Sequence, residues 1–103
     1  MINSKMIRNI FLGFIKIHIL HHAEKEEIYG AWMMEELKSH GYCISFGTLY
    51  PTLHKLEKEG YLKSRKEVVG GRVRKYYSIT QEGRDALEKA KEKIRELVGE
   101  VME

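Results

Sequence analysis

The 103-residue chain contains one cysteine (Cys43), one proline (Pro51), one tryptophan (Trp32) and one aspartate (Asp85). A lone cysteine excludes an internal disulfide framework and fits a reducing cytoplasm. With one proline and no glycine- or serine-rich tract there is no linker, so the chain reads as one small domain. A core of this size is often completed by a second copy of the chain. The opening "MINSKMIRNIFLGFIKIHIL" is interrupted by Lys16 and His18 and lacks a small-residue cleavage site. It is too short and too charged to span a bilayer and reads as a buried helix, so no membrane is expected. There is no nucleophile elbow, phosphate loop, carboxylate pair or cofactor fingerprint, so neither an enzyme nor a cofactor is expected. The net charge is only +3, which makes the placement of the cations the informative quantity.

Hydrophobic spacing sets out the elements. Ile7, Ile10, Phe11, Phe14, Ile17 and Leu20 recur at three- and four-residue steps, predicting a helix over 5–22 with "AEKEE" as the turn after it. A second helix is expected over 28–39, with Gly30, Met33, Met34 and Leu37 inward and Gly41 near its end. The third, over 46–59, is closed by Gly60. Its N-cap is Ser45 or Thr48, and only with Thr48 does Pro51 fall in the first turn, where its missing N–H costs nothing. The period then changes to two, predicting strands over 61–68 and 72–79 around Val69-Gly70-Gly71, with Leu62, Tyr77 and Ile79 inward. Thr80 caps a last helix on which Leu87, Ile94, Leu97, Val98 and Val101 continue a three–four apolar seam, the mark of a helix that pairs with another. The fold class is mainly α with a small β-hairpin. It is a winged helix-turn-helix over 1–80, with an N-terminal helix and a long C-terminal dimerisation helix over 81–103.

On the third helix Leu49, Leu53 and Leu56 lie within roughly 60° of one another. The opposite side carries Thr48, Tyr50, Pro51, His54, Lys55 and Lys58, with no carboxylate near the helix start. A helix-turn-helix reader turns such a face to the major groove. An ordinary solvated helix surface explains the same residues, and the hairpin decides between the two. It carries Lys63, Arg65, Lys66, Arg72, Arg74 and Lys75 against Glu67 alone. A protruding ribbon of that charge suits a phosphate backbone, whereas charges that merely protect a sheet edge are usually mixed. A rival class is a winged-helix protein–protein module without DNA specificity, which would leave these cations unexplained.

The segments "YGAWMMEELKSHG", "GTLYPTLHKLEKEGYLKSR" and "RKYYSITQEG" resemble the PadR family of transcriptional regulators over about residues 10–95. The resemblance implies a homodimeric winged-helix repressor, its last helix paired with the first helix of the partner subunit. It implies operator binding by the third helix and wing, relieved by a small hydrophobic or aromatic effector. The residues expected at double-stranded, roughly palindromic DNA are Thr48, Tyr50, Pro51, His54, Lys55, Lys58, Lys38, Arg72, Arg74 and Lys75. Those expected at the dimer interface are Phe11, Phe14, Leu87, Ile94, Leu97, Val98 and Val101. Two positions depart from the family: Tyr29, where histidine is usual, and Trp32, where a polar or acidic residue is common. Trp32 faces away from its own helix's core side and is a candidate for an effector pocket, or for packing against the first helix or the partner. The compact branch of the family can carry a pocket tryptophan in its last helix, and this chain has none there.

His18, His21 and His22 have spacing that can bring two imidazoles to one metal, and Glu26 lies one turn on. A helix end also favours histidine, and no cysteine completes the set, so no metal is expected. Cys43 reads as a lone structural thiol.

Overall fold

The computed structural model describes residues 4–103. It has the order α1 (Lys5–Lys25), α2 (Gly30–Ser39), α3 (Phe46–Lys58), β1 (Leu62–Val69), β2 (Arg72–Ile79) and α4 (Gln81–Val101). Three helices followed by a two-stranded antiparallel hairpin and a long last helix form the winged helix-turn-helix that the hydrophobic periods predict.

The boundaries differ in instructive ways. α1 runs three residues past the expected end, because Ala23 is buried and extends the apolar stripe through "AEK". α3 begins after Ser45, not Thr48, so Pro51 lies inside the helix instead of in its first turn. Pro51 has no N–H to offer the Gly47 carbonyl one turn back, which leaves an acceptor near the exposed start of α3. The hairpin turn is Gly70-Gly71 alone, with φ of 58° and 79°, and Val69 pairs with Arg72 inside the ladder. Two consecutive positive φ angles give the turn whose twist matches that of the strands, and glycine adopts them without a Cβ clash.

The core gathers Ile15 and Ile19 of α1, Met33 and Leu37 of α2, the three leucines of α3, the hairpin base and Leu87 of α4. Leu62, Tyr77 and Ile79 are the buried strand residues, as the period-two pattern predicts. Ile28, ahead of α2, forms an isolated bridge with Tyr77 through bonds of 2.9 and 2.8 Å, so β2 has a one-residue neighbour on its second edge. Thr80 ties three elements together. Its hydroxyl accepts the Gly83 N–H at 3.0 Å, capping α4, and donates to the Gly60 carbonyl that ends α3. Gly83 is required by contact rather than by conformation: a Cβ there would sit 2.2 Å from the Tyr61 carbonyl oxygen. That close approach seats the first turns of α4 on the hairpin base.

Candidate nucleic-acid interface

The register divides the hairpin into two faces. Lys66 pairs with Lys75 and Val68 with Val73 on the face continuous with Leu62, Tyr77 and Ile79. Arg65–Tyr76, Glu67–Arg74 and Val69–Arg72 occupy the other. Where the strands leave the core, the first face turns towards α3. There Lys75 Nζ lies 3.1 Å from the Glu57 carboxylate and 3.5 Å from His54 Nε2. The Ser64 hydroxyl donates to Glu57, and this bond, with Lys75 adding to it against the cost of burial, holds the Glu57 carboxyl below its usual range. For Lys75, burial opposes the charge, but the Glu57 carboxylate and the Tyr77 hydroxyl outweigh it and raise its pKa.

The start of α2, the outer side of α3 and β2 enclose a cleft of about 350 Å³. Tyr50 and His54 enter it from α3, and Arg72, Arg74 and Lys75 from the wing. Gly30 and Ala31, the first residues of α2, form its floor; the Tyr29 cap position makes no side-chain bond, so the helix's leading N–H groups open onto this space. Tyr50 is 47% exposed, yet its ring is held in place. It stacks on Phe46 at 5.5 Å and lies so close to Gly30 that a Cβ there would come within 2.5 Å of the ring. Arg74 extends its guanidinium 3.9 Å above the Tyr29 ring, and its pKa is raised, first by its bond to the Tyr76 hydroxyl. The aromatic face fixes a planar donor at the rim of the cleft.

The structure therefore brings together five of the residues expected at DNA: Tyr50, His54, Arg72, Arg74 and Lys75. Lys55 and Lys58 flank them beside His54 and the Glu57–Lys75 pair. Pro51 is exposed on the same helix, and Thr48, half-buried, accepts the Thr52 hydroxyl on its carbonyl at 2.7 Å. Lys38 stands apart near the end of α2, 3.8 Å from Glu35.

The wing's charge is smaller than its composition implies. Arg65 is held bidentately by Glu27 at 2.7 Å and lies over the Tyr76 ring at 4.7 Å, and Lys75 is matched by Glu57. Among the described residues, Lys55, Lys58, Lys63, Lys66, Arg72 and Arg74 have no carboxylate within ion-pair distance.

Phe46 escaped the sequence reading, which also names Tyr29 and Gly30 without assigning them to this site. Phe46 could have been found from its four-residue step to Tyr50, which places both rings on one side of α3.

The residues expected at a dimer interface separate into two groups. Phe11, Phe14, Ile94, Leu97, Val98 and Val101 are exposed apolar side chains on α1 and α4. Leu87 is not among them, because its own chain buries it at 1% exposure. Ile94 and Phe14 meet across a largely apolar cavity of about 250 Å³ between α1 and α4. Trp32 does not line that cavity, since it projects from the outer side of α2 and packs edge-to-face with the His22 ring, their centres 5.3 Å apart. Cys43 is exposed, not packed as a structural thiol would be. No helix among the described residues is long and apolar enough to cross a membrane.

Comparison with known proteins agrees with this architecture. The model of the transcriptional regulator PadR-like family matches residues 19–89. The chain is 50% identical over 88 residues to the transcriptional regulator Rv3488 of Mycobacterium tuberculosis, covering 85% of this chain and 82% of that one. Among solved structures, a PadR family transcriptional regulator from Eggerthella lenta superposes with a TM-score of 0.81 at 32% identity, over 97% of this chain and 91% of the other. Bacillus subtilis PadR, solved in complex with operator DNA, gives 0.68 at 26% identity, over 74% of this chain and 45% of that longer one. With the family model matched across most of the chain and a winged helix whose cations converge on one cleft, the protein belongs to the PadR-like family of transcriptional regulators.

Proposed function

We propose that this regulator is a sequence-specific DNA-binding repressor acting as a two-fold homodimer. The observation that carries the proposal is the convergence of Tyr50, His54, Arg72 and Arg74 with the open N-terminus of α2 on one cleft, with the unpaired Lys55 and Lys58 beside His54. Thr48, Tyr50, Pro51, His54 and Lys55 enter or border the major groove. Arg72 and Arg74, with Lys58, Lys63 and Lys66, hold phosphates. Lys75 and Lys38 are partly neutralised and contribute less. Residues 4–80 form the DNA-binding unit and α4 the dimerisation helix, with Phe11 and Phe14 of α1 meeting Ile94, Leu97, Val98 and Val101 of the partner's α4 face. The two reading helices then lie about 34 Å apart, one turn of DNA, on a roughly palindromic operator. A small hydrophobic or aromatic effector would enter the apolar cavity between α1 and α4, next to the dimer seam, and release the operator. The resident protein acts from the cytoplasm.

The test is fluorescence anisotropy on the DNA upstream of the protein's own gene, against a scrambled duplex, from about 50 to 200 mM salt. Tight, sequence-dependent binding should weaken with a slope of roughly 0.9 per phosphate contacted. Binding that ignores both sequence and salt would sink the operator reading and favour a protein partner.

A further inference from the structure

We propose that His18, His22, His40 and Glu36 bind one divalent transition-metal ion of the zinc class. Three imidazoles and a carboxylate are the ligands. The spacing in the sequence points to His18, His21 and His22, all on α1. The fold keeps the His18–His22 pair, one helical turn apart, and replaces His21 with His40 from the end of α2. Donor atoms of His18, His22 and His40 all lie within 4.8 Å of one another.

The rings are already arranged around a common centre. His18 and His22 are nearly parallel, with an interplanar angle of 10°, and the His40 ring lies 4.7 Å from that of His18. One carboxylate oxygen of Glu36 lies 3.3 Å from His22 Nε2 and 3.0 Å from His40 Nε2. A tetrahedral ion with bonds of about 2.0–2.1 Å needs its donors roughly 3.4 Å apart. Glu36 therefore meets two of the rings near ligand spacing, and side-chain rotation would bring in the third, whose donor lies within 4.8 Å of theirs. An imidazole-rich set with one oxygen suits zinc and its neighbours better than magnesium or calcium.

Aromatic neighbours pack against two of the ligand rings. Tyr42 packs edge-to-face with His18, ring centres 5.4 Å apart, and Trp32 with His22 at 5.3 Å, a partial apolar wall that orients both ligands. The site joins α1 to the residue that ends α2, immediately before the turn into the reading helix, so an ion there would clamp the helix-turn-helix to its scaffold.

Trp32 is the only tryptophan, and its contact with His22 makes it a built-in reporter. The full-length chain without an affinity tag, stripped with a chelator, is titrated with Zn²⁺ while tryptophan fluorescence is followed. Calorimetry gives the stoichiometry, and Co²⁺ supplies the visible absorption of a four-coordinate ion. The expected result is one ion per chain, a saturable fluorescence change and a four-coordinate Co²⁺ spectrum. His40→Ala and Glu36→Gln should each weaken binding by at least about tenfold, and His21→Ala should leave it unchanged. The wild-type Co²⁺ spectrum tests the ligand set even if a variant folds poorly. Two results would overturn the proposal: no saturable binding at micromolar metal, or binding that survives His40→Ala and is lost in His21→Ala. Neither bears on operator binding, which is measured separately.

Discussion

α4 and the hairpin both start in the core and end in solvent, but their outer parts differ in kind. Beyond Leu87 the outer half of α4 carries Ile94, Leu97, Val98 and Val101 on one exposed stripe. Beyond Tyr77 the outer half of the hairpin carries Lys66, Arg72 and Arg74 around a glycine turn. An uncovered apolar stripe gains most from another apolar surface, and its association should be insensitive to salt or strengthened by it. A cationic ribbon gains most from phosphate, and that association weakens steeply as salt rises. The two outer regions therefore call for different partners, which can be separated by mutation and by ionic strength.

The sharpest way to break the comparison is at the boundary between inner and outer α4. Leu87→Ala should destabilise the fold by about 2–5 kcal/mol, as cavity-forming core truncations do, seen as a large drop in the urea midpoint. Gly83→Ala should cost roughly 1–3 kcal/mol by driving a Cβ into the Tyr61 carbonyl, although alanine is the better helix former in an open position. Seven residues beyond Leu87 the effect should change in type: Ile94→Asp should leave the chain folded by circular dichroism and shift its sedimentation to monomer. A normal dimer in that variant would refute the seam.

On the hairpin the effects should be smaller and visible only with DNA. Arg72→Ala should weaken all duplexes alike and reduce the salt slope by about one, with no change in melting temperature. Gly30→Ala should push the Tyr50 ring out of place and lower operator affinity while affecting a scrambled duplex far less. The smallest effect concerns Glu57. Its pKa is depressed in the folded state, first by the Ser64 hydroxyl and then by Lys75. Its stabilisation is therefore present above the unfolded value of about 4.3 and lost as pH falls through the lower folded value. Glu57→Gln should remove that acid-limb loss, a difference of under about 1 kcal/mol in pH-dependent melts.

Local patterns carried the architecture. The leucines of α3, the alternation of Leu62, Tyr77 and Ile79, and the Thr80 cap are set by spacing within a few residues, so they can be read without the fold. What the sequence could not reveal depends on residues far apart in the chain. Glu27 neutralises Arg65 across 38 positions, so counting charges within the hairpin overstated its free cations. His40 joins His18 only once α2 has folded back along α1, which no spacing on a single helix can show. Leu87 and Ile94 occupy the same seam of one repeat, and periodicity gives a face without saying which chain covers it. The single Ile28–Tyr77 bridge is too short to leave a strand pattern.

Glu57 leaves α3 and grips both strands of the hairpin, through Ser64 on β1 and Lys75 on β2. α3 and the hairpin are thereby fixed as the two jaws of a caliper. On the proposed DNA complex, such jaws measure groove width as well as sequence. A duplex too stiff to match their span must be deformed, at a cost set by base steps that no side chain touches. Bendability would then rank operators whose contacted bases are identical.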